Sequence, residues 1–290
     1  MTIIRRFKAE KPVISFEFFP PKTDRGFISL FHTIEELQPL KPAFVSVTMG
    51  AGGSTRSKTV DLVIRIEREL GLTAMAHLPC IGFEREQIHE ILKQLESEGI
   101  RNVLALRGDP PKDGADFAAP LDGFDYASDL VGYIQQEHQD LCVVAACYPE
   151  THPEASSAEA DLDHLKRKVD AGAQLLITQL FFDNDKFFSF LDRARGAGIS
   201  VPIVPGIMPI VSHQGVKRMT TMCGCEIPDE LDQELERVGK DEVATQELGV
   251  RWATMQCREL LSGGVPGIHF YTLNKSSATR KIFENLFPKD

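Results

Sequence analysis

A glutamate inside a strongly apolar segment is the residue of this sequence whose type and position most suggest chemistry. Glu17 interrupts the run Val13-Ile14-Ser15-Phe16-Glu17-Phe18-Phe19, which is closed by Pro20-Pro21-Lys22. Strand alternation places Ser15 and Glu17 on one face and Ile14, Phe16 and Phe18 on the other. Burial disfavours an ionised carboxylate, so a raised pKa would make Glu17 a proton donor near neutral pH. The alternative is a structural ion pair with a lysine or arginine.

Other polar residues stand where further apolar segments end, and together they favour a functional site. They are Thr48, His77, Arg107, Gly108, Asp109, Tyr148, His152, Gln179, Tyr271, Asn274 and Lys275. A single histidine such as His77 on an apolar strand is more often a core residue, so the argument rests on the whole set. The histidines lack the Cys, Asp and Glu spacing of zinc or iron centres, and we predict no metal site.

The elements that must position these residues are short apolar strands that alternate with helices. We predict strands near residues 13–19, 43–49, 73–79, 101–107, 141–148, 174–182, 201–207 and 267–273. Between them lie helical patterns such as residues 58–70, which Gly71 terminates. Eight such units predict an α/β fold, a (β/α)8 TIM barrel that forms a single catalytic domain over residues 1–290. A doubly wound sheet is the alternative, but no glycine fingerprint follows the first strand.

The composition limits partners and location. A net charge of −10 opposes binding to nucleic acid. The sequence has no apolar run of about 18 residues and no secretory signal, so we expect a cytoplasmic protein without membrane segments. Six scattered cysteines indicate reduced thiols. Two stretches depart from the repeat: residues 110–125, predicted to lie over the barrel mouth, and residues 225–241, predicted to contain one short helix.

Eight segments in this order resemble the catalytic barrel of the methylenetetrahydrofolate reductase family, and the resemblance spans nearly the whole chain. These segments are residues 16–22 (FEFFPPK), 45–51 (VSVTMGA), 76–78 (AHL), 104–109 (LALRGD), 148–154 (YPETHPE), 165–173 (LKRKVDAGA), 178–183 (TQLFFD) and 269–274 (HFYTLN). Members of this family are flavoenzymes that reduce methylenetetrahydrofolate to methyltetrahydrofolate.

The resemblance implies a role for each matching residue. Glu17 would be the general acid that protonates nitrogen 10 of the folate, and Asp109 would stabilise the cationic iminium intermediate. Gln179 and Lys275 would bind folate together with Asp109. FAD would lie across the strand ends, in contact with Thr48, Met49, Ala51, His77, Arg107, Gly108, Asp109, Tyr126, Ala127, Tyr148, His152, Ala155, Asp161, His164, Arg167 and Lys168. For the last four residues, a solvated helix face is the alternative.

The resemblance further implies ping-pong hydride transfer with NADH or NADPH as co-substrate, a folate substrate with or without a polyglutamate tail, and assembly as a dimer or tetramer. Met219 stands where some bacterial members carry an aromatic residue that packs on the folate. Because the sequence ends at Asp290, we expect no adenosylmethionine-binding regulatory domain and no inhibition by adenosylmethionine. Two other hypotheses stay open: a folate-binding subunit without hydride transfer, and a flavin-independent reductase.

Overall fold

The strands of the protein form one parallel sheet that curves into a barrel. The structure is a computed structural model and describes residues 1–9, 12–50, 56–108 and 122–288. Within those residues the strands from the first to the seventh pair in chain order, the eighth pairs with the ninth, and the ninth pairs with the first. The strands are β1 (Val13–Phe18), β2 (Phe44–Val47), β3 (Ala74–Pro79), β4 (Asn102–Leu106), β5 (Cys142–Cys147), β6 (Leu175–Thr178), β7 (Ile203–Val204), β8 (Gly206–Ile207) and β9 (Gly267–Tyr271).

The seventh position of the barrel holds two short strands because Pro205 separates them. β7 pairs with β6, whereas β8 pairs with β9. Proline has no amide hydrogen for a sheet ladder, but the Pro205 carbonyl accepts a hydrogen bond of 3.0 Å from the His269 amide. The ring of pairings therefore closes, and the predicted eight strand positions and (β/α)8 fold are confirmed.

One predicted strand is too long. The segment predicted as 174–182 leaves the sheet after Thr178, although Leu180, Phe181 and Phe182 are apolar. Beyond that point the Phe181 carbonyl accepts from Gln256 Nε2 at 3.0 Å, and the Phe182 carbonyl accepts from Trp252 Nε1 at 3.3 Å. Because helix side chains satisfy these backbone groups, the segment needs no neighbouring strand.

Helices connect successive strands and surround the barrel. They are α1 (Ile4–Ala9), α2 (Asp24–Leu37), a 3-10 turn (Gln38–Leu40), α3 (Arg56–Leu70), α4 (Arg85–Ser97), α5 (Ala127–Glu137), α6 (Ala158–Asp170), α7 (Asn184–Gly196), α8 (His213–Cys223), α9 (Asp229–Val238), α10 (Glu242–Ser262) and α11 (Ser277–Leu286). The helix predicted over 58–70 is confirmed as α3, and Gly71 after it adopts a positive φ of 64°. The short helix predicted within 225–241 is α9.

The two faces of β1 lie in different layers, as alternation predicts. Ile14, Phe16 and Phe18 pack in the layer between the barrel and its helices. Val13 packs in an inner cluster with apolar residues from most of the other strands. Ser15 and Glu17 share the parity of Val13 and therefore point into the barrel.

Apolar residues fill the N-terminal end of the barrel. Ile3 and Phe7, at the start of the chain, pack on the inner cluster. The Ile3 amide donates to Asn102 Oδ1 at 2.7 Å, and Asn102 Nδ2 donates to the Met1 carbonyl at 3.1 Å. This end is therefore closed, which leaves the C-terminal ends of the strands for a site.

No helix in the described part of the chain combines the length and the apolar character that crossing a bilayer requires. All six cysteines are free thiols, and five of them are buried.

Candidate active site

The candidate active site surrounds the carboxylate of Glu17 inside the barrel. Glu17 Oε2 lies 3.3 Å from His269 Nε2 and 3.3 Å from His77 Nε2, and the three side chains are at most 8% exposed. Ser46 Oγ donates to the same oxygen at 3.5 Å. The contact from His77 has the distance of an ion pair but not the geometry of a hydrogen bond. We call Glu17, His77 and His269 the Glu-His-His cluster.

The Glu-His-His cluster decides the charge of Glu17. Burial by itself raises the pKa of this carboxyl, but the charge of His77, the hydrogen bond from His269 and the charge of His269 together outweigh it. The pKa of Glu17 falls from an ordinary 4.5 to about 2. The sequence-based expectation of a raised pKa is therefore wrong, because two histidines face the carboxylate. At neutral pH, Glu17 is an ionised carboxylate beside two possible proton carriers.

Sequence reasoning assigned no role to His269, although it lies in one of the segments that carry the family resemblance. His269 is fully buried, its Nδ1 lies 2.8 Å from Ser15 Oγ, and its ring stacks on Phe44 with centroids 5.9 Å apart. Alternation along β9 would have revealed it, because His269 and Tyr271 share the inward face just as Ser15 and Glu17 do.

Strand register brings the inward residues together. Glu17 pairs with Ser46 on β2 and with Tyr271 on β9, and Ser15 pairs with His269. His77 enters from β3, two residues after the inward Met75. Four strands therefore contribute side chains to one point, a convergence that only the closed barrel produces.

The ends of β1 and β9 are joined by side chains. Thr272 Oγ1 donates to the Glu17 carbonyl at 2.6 Å. Asn274 accepts from the Phe19 amide at 2.8 Å and donates to the Phe19 carbonyl at 2.9 Å. Asn274 also has a positive φ of 56°, which asparagine tolerates better than most residues. These bonds fix the backbone immediately after the Glu17 side chain.

Tyr271 crosses the mouth of the barrel near the cluster. Its hydroxyl donates to the Thr178 carbonyl at 2.5 Å. Gly206 makes room for the ring, since a Cβ there would lie 2.6 Å from Tyr271 and 2.4 Å from the Thr178 carbonyl oxygen. Burial and the charge of Glu17 raise the pKa of Tyr271 well above its ordinary value. The phenol therefore stays a neutral hydrogen-bond donor.

The loop after β5 and the helix α6 bring four predicted FAD ligands together. The rings of Tyr148 and His152 meet edge to face with centroids 4.6 Å apart, and the His152 amide donates to Asp161 Oδ2 at 2.9 Å. Lys168 Nζ donates to the Ala146 carbonyl at 2.6 Å, and burial lowers its pKa. Tyr148, Asp161 and Lys168 line one small cavity. The spacing of Asp161 and Lys168 puts both on one side of α6.

Arg107 and Gly108 follow β4. Arg107 Nη1 forms an ion pair with Glu154 of the β5 loop, and its side chain is 41% exposed. Gly108 has a φ of 87°, and a Cβ there would lie 2.7 Å from Pro79 Cβ. A glycine is therefore required at this position, next to a cation at the mouth of the barrel.

The remaining predicted FAD ligands differ in position. Thr48 and Met49 follow β2, Tyr126 precedes α5 and is 62% exposed, and Ala127 begins that helix. Ala155 lies in the β5 loop, where its amide donates to the His152 carbonyl at 2.9 Å.

His164 and Arg167, also on α6, are exposed, whereas Asp161 and Lys168 are partly buried. Ala51 and Asp109 fall outside the described residues, as does most of the segment predicted to lie over the mouth.

The two remaining predicted folate ligands differ in solvent exposure. Gln179 follows β6 and is half-buried, and its Oε1 accepts from the Leu180 amide at 2.8 Å. Lys275 is exposed after β9. Met219, on α8, packs partly buried against the apolar residues around α9.

One group of metal-type side chains occurs in the described ranges, namely His213, Asp232 and Glu236. Lys217 Nζ lies 2.7 Å from Glu236 and 3.5 Å from Asp232, so an ammonium already neutralises these carboxylates. None of these residues belongs to the Glu-His-His cluster.

The fold and the buried ionisable cluster together define the class of protein. A closed (β/α)8 barrel, filled at its N-terminal end, carries a carboxylate, two imidazoles and nearby cations at the C-terminal ends of its strands. This is where barrel enzymes of unrelated chemistry hold their catalytic groups.

The chain belongs to the methylenetetrahydrofolate reductase family, which it matches over residues 2–287. It is 41% identical over 282 residues to methylenetetrahydrofolate reductase (NADH) 1 of Arabidopsis thaliana, covering 94% of this chain but 48% of the plant protein. It therefore spans about half the length of that relative. It is 40% identical over 274 residues to 5,10-methylenetetrahydrofolate reductase of Escherichia coli K12, covering 94% of this chain and 90% of that enzyme.

The barrel also resembles a solved structure of low sequence identity. A Clostridium thermocellum protein, described as binding two copies of 5-methyl-5,6,7,8-tetrahydrofolic acid, superposes with a TM-score of 0.67 at 16% identity, over 98% of this chain and 97% of that one. At this identity the likeness supports the fold alone.

Proposed function

We propose that this chain reduces 5,10-methylenetetrahydrofolate to 5-methyltetrahydrofolate, with FAD as cofactor and NADH or NADPH as co-substrate. The observation that carries the proposal is the Glu-His-His cluster at the mouth of a barrel of this family. The name of the Arabidopsis relative specifies NADH, so NADH is the first donor to test. We further propose that residues 1–290 act as one catalytic barrel within a homodimer or homotetramer.

The residues around the mouth suit FAD. Arg107 and Lys168 supply positive charge for a diphosphate in a chain of net charge −10. Tyr126 presents a ring that is 62% exposed beside the mouth, where a flat aromatic ligand would cover it. When bound, FAD supplies the hydride carrier between the two substrates. The proposed site also includes Thr48, Met49, Ala51, His77, Gly108, Asp109, Ala127, Tyr148, His152, Ala155, Asp161, His164 and Arg167.

The proton for the folate comes, in this proposal, from the Glu-His-His cluster as a unit. Ring opening requires a proton at nitrogen 10, but Glu17 is ionised at neutral pH. His269 Nε2 and His77 Nε2 each lie 3.3 Å from Glu17 Oε2 and can return a proton to it. Glu17 then acts as the relay that presents the proton to the substrate.

Folate binding would use groups on the other side of the mouth. Because the side-chain oxygen of Gln179 already accepts a backbone hydrogen bond, its amide NH2 group is the donor left for a pterin. Lys275 is exposed and suits a glutamate tail. Asp109 would stabilise the positive charge of the iminium carbon.

The test follows the visible absorption of the purified protein under anaerobic conditions. A flavin band that bleaches on adding NADH and returns on adding methylenetetrahydrofolate supports the proposal. The Glu17→Gln variant should bleach normally but recover slowly or not at all. A protein that binds no FAD would instead favour a folate-binding subunit or a flavin-independent reductase, and normal recovery in the variant would exclude Glu17 as the relay.

A further inference from the structure

A second buried carboxylate lies outside the Glu-His-His cluster. The side chain of Glu150, in the loop after β5, is 8% exposed, and its Oε2 accepts from Lys186 Nζ at 2.7 Å. Lys186 also bonds Glu226 Oε2 at 2.5 Å, and the Glu226 amide donates to Glu150 Oε2 at 3.2 Å. Glu150 Oε1 is buried and has no hydrogen-bond partner among the described residues. A half-satisfied buried carboxylate is costly and calls for a physical reason.

The bonds of Glu150 join three separate connections of the barrel. Glu150 follows β5, Lys186 lies in the first turn of α7, and Glu226 follows the C-terminal end of α8. The same two loops meet a second time, where Gly224, with a positive φ of 68°, packs against Pro153. A Cβ at Gly224 would lie 2.7 Å from Pro153 Cγ, so the contact is tight. The β5 loop and the end of α8 are thus held together at two points.

The residue after Glu150 is in a strained conformation. Thr151 has a φ of 90°, a region that β-branched residues rarely occupy. Such strain persists only where bonds on both sides enforce it. Before Thr151, these are the bonds of the Glu150 side chain. After it, the His152 amide donates to Asp161 Oδ2 at 2.9 Å. Removing either set would let this part of the loop relax.

We propose that Glu150 is a positioning residue that holds the β5 loop against the end of α8. The inference rests on the proposed function, because that loop carries Tyr148 and His152 on the flavin side and α8 carries Met219 on the folate side. Glu150 reaches neither substrate in this scheme. It fixes the distance between the two halves of the mouth, so its loss should affect substrate binding more than chemistry.

The experiment compares Glu150→Gln with Glu226→Gln. Both variants replace a carboxylate that bonds Lys186 with an amide. The Glu226 side chain is 79% exposed, so the loss of its charge should leave KM nearly unchanged. We expect Glu150→Gln to raise KM for methylenetetrahydrofolate about tenfold with kcat changed less than about twofold.

Hydrogen exchange of the folded protein separates this inference from the proposed function. Glu150→Gln should speed amide exchange in residues 150–156 and 223–228 and leave α4 unchanged, whereas Glu226→Gln should not. Unchanged exchange would overturn the positioning role, as would faster exchange with wild-type KM. If the wild-type protein does not reduce folate, the proposed function fails, and the exchange result still decides whether Glu150 holds the loops together.

Discussion

Glu17→Gln distinguishes an ionised carboxylate in the barrel from a protonated one by its effect on stability. If Glu17 is ionised and paired, the amide removes the charge that His77 and His269 attract. If Glu17 is protonated, the amide is a close mimic and costs little. The structure favours the first case, since the pKa of Glu17 is about 2 and its side chain is 8% exposed.

The expected loss follows from proton linkage. The difference between 4.5 and about 2, at about 1.4 kcal/mol per pH unit, gives an upper limit of about 3 kcal/mol at pH 7. Because the folded-state pKa is the lower one, this stabilisation is fully present above pH 4.5 and is lost as the pH falls through about 2. At pH 3 it should be about half as large. Glutamine keeps one acceptor oxygen, so we expect a loss of about 2–3 kcal/mol at pH 7.

Urea denaturation from pH 7 down to pH 3 measures this loss. Glu35→Gln is the matched control, because Glu35 Oε2 also lies 3.3 Å from a histidine nitrogen, that of His32, but its side chain is 52% exposed. It should leave the free energy of unfolding unchanged. A Glu17→Gln protein as stable as wild type at pH 7, or more stable, would refute the ionised carboxylate and restore a directly protonated acid.

Further predictions concern other parts of the mouth. His269→Gln removes the imidazole that stacks on Phe44 and contacts Ser15. In stopped-flow absorbance it should slow folate reduction at least about tenfold, whereas the rate of flavin reduction by NADH should stay within about twofold of wild type. Gly206→Ala places a methyl group against the Thr178 carbonyl and should destabilise the protein by about 2 kcal/mol or more in urea. Gly132→Ala, in the middle of α5 with nothing within 4 Å, should instead stabilise it slightly. Lys168→Met should weaken FAD binding about tenfold in a fluorescence titration, and equal binding would contradict its role.

The fold was largely predictable because each strand is a short apolar run and the helices show the spacing of apolar residues that is typical of helices. Alternation along residues 13–19 correctly placed Glu17 on the face opposite Phe16 and Phe18. The strand predicted to reach residue 182 was too long, because side chains of α10, 70 or more residues away, satisfy the backbone there. The local sequence pattern contains no information about contacts with a distant helix.

The site was predicted in part. The polar strand ends pointed to the mouth of a barrel, since parallel strands all end on one side. The charge of Glu17 was not predictable from its own segment. Burial and imidazole attraction act in opposite directions on its pKa, and which one prevails depends on His269, which lies 252 residues away along the chain.

The sequence by itself determined the barrel, the position of Glu17 opposite the apolar face of its strand and the family, because these depend on residue type and spacing. Only the tertiary structure decided which groups meet. Strand register places His77 and His269 on one oxygen of Glu17, and the β5 loop reaches α8 through Glu150. Electrostatic interactions fall off with distance and depend on burial, and both quantities are defined only once the chain has closed into the barrel.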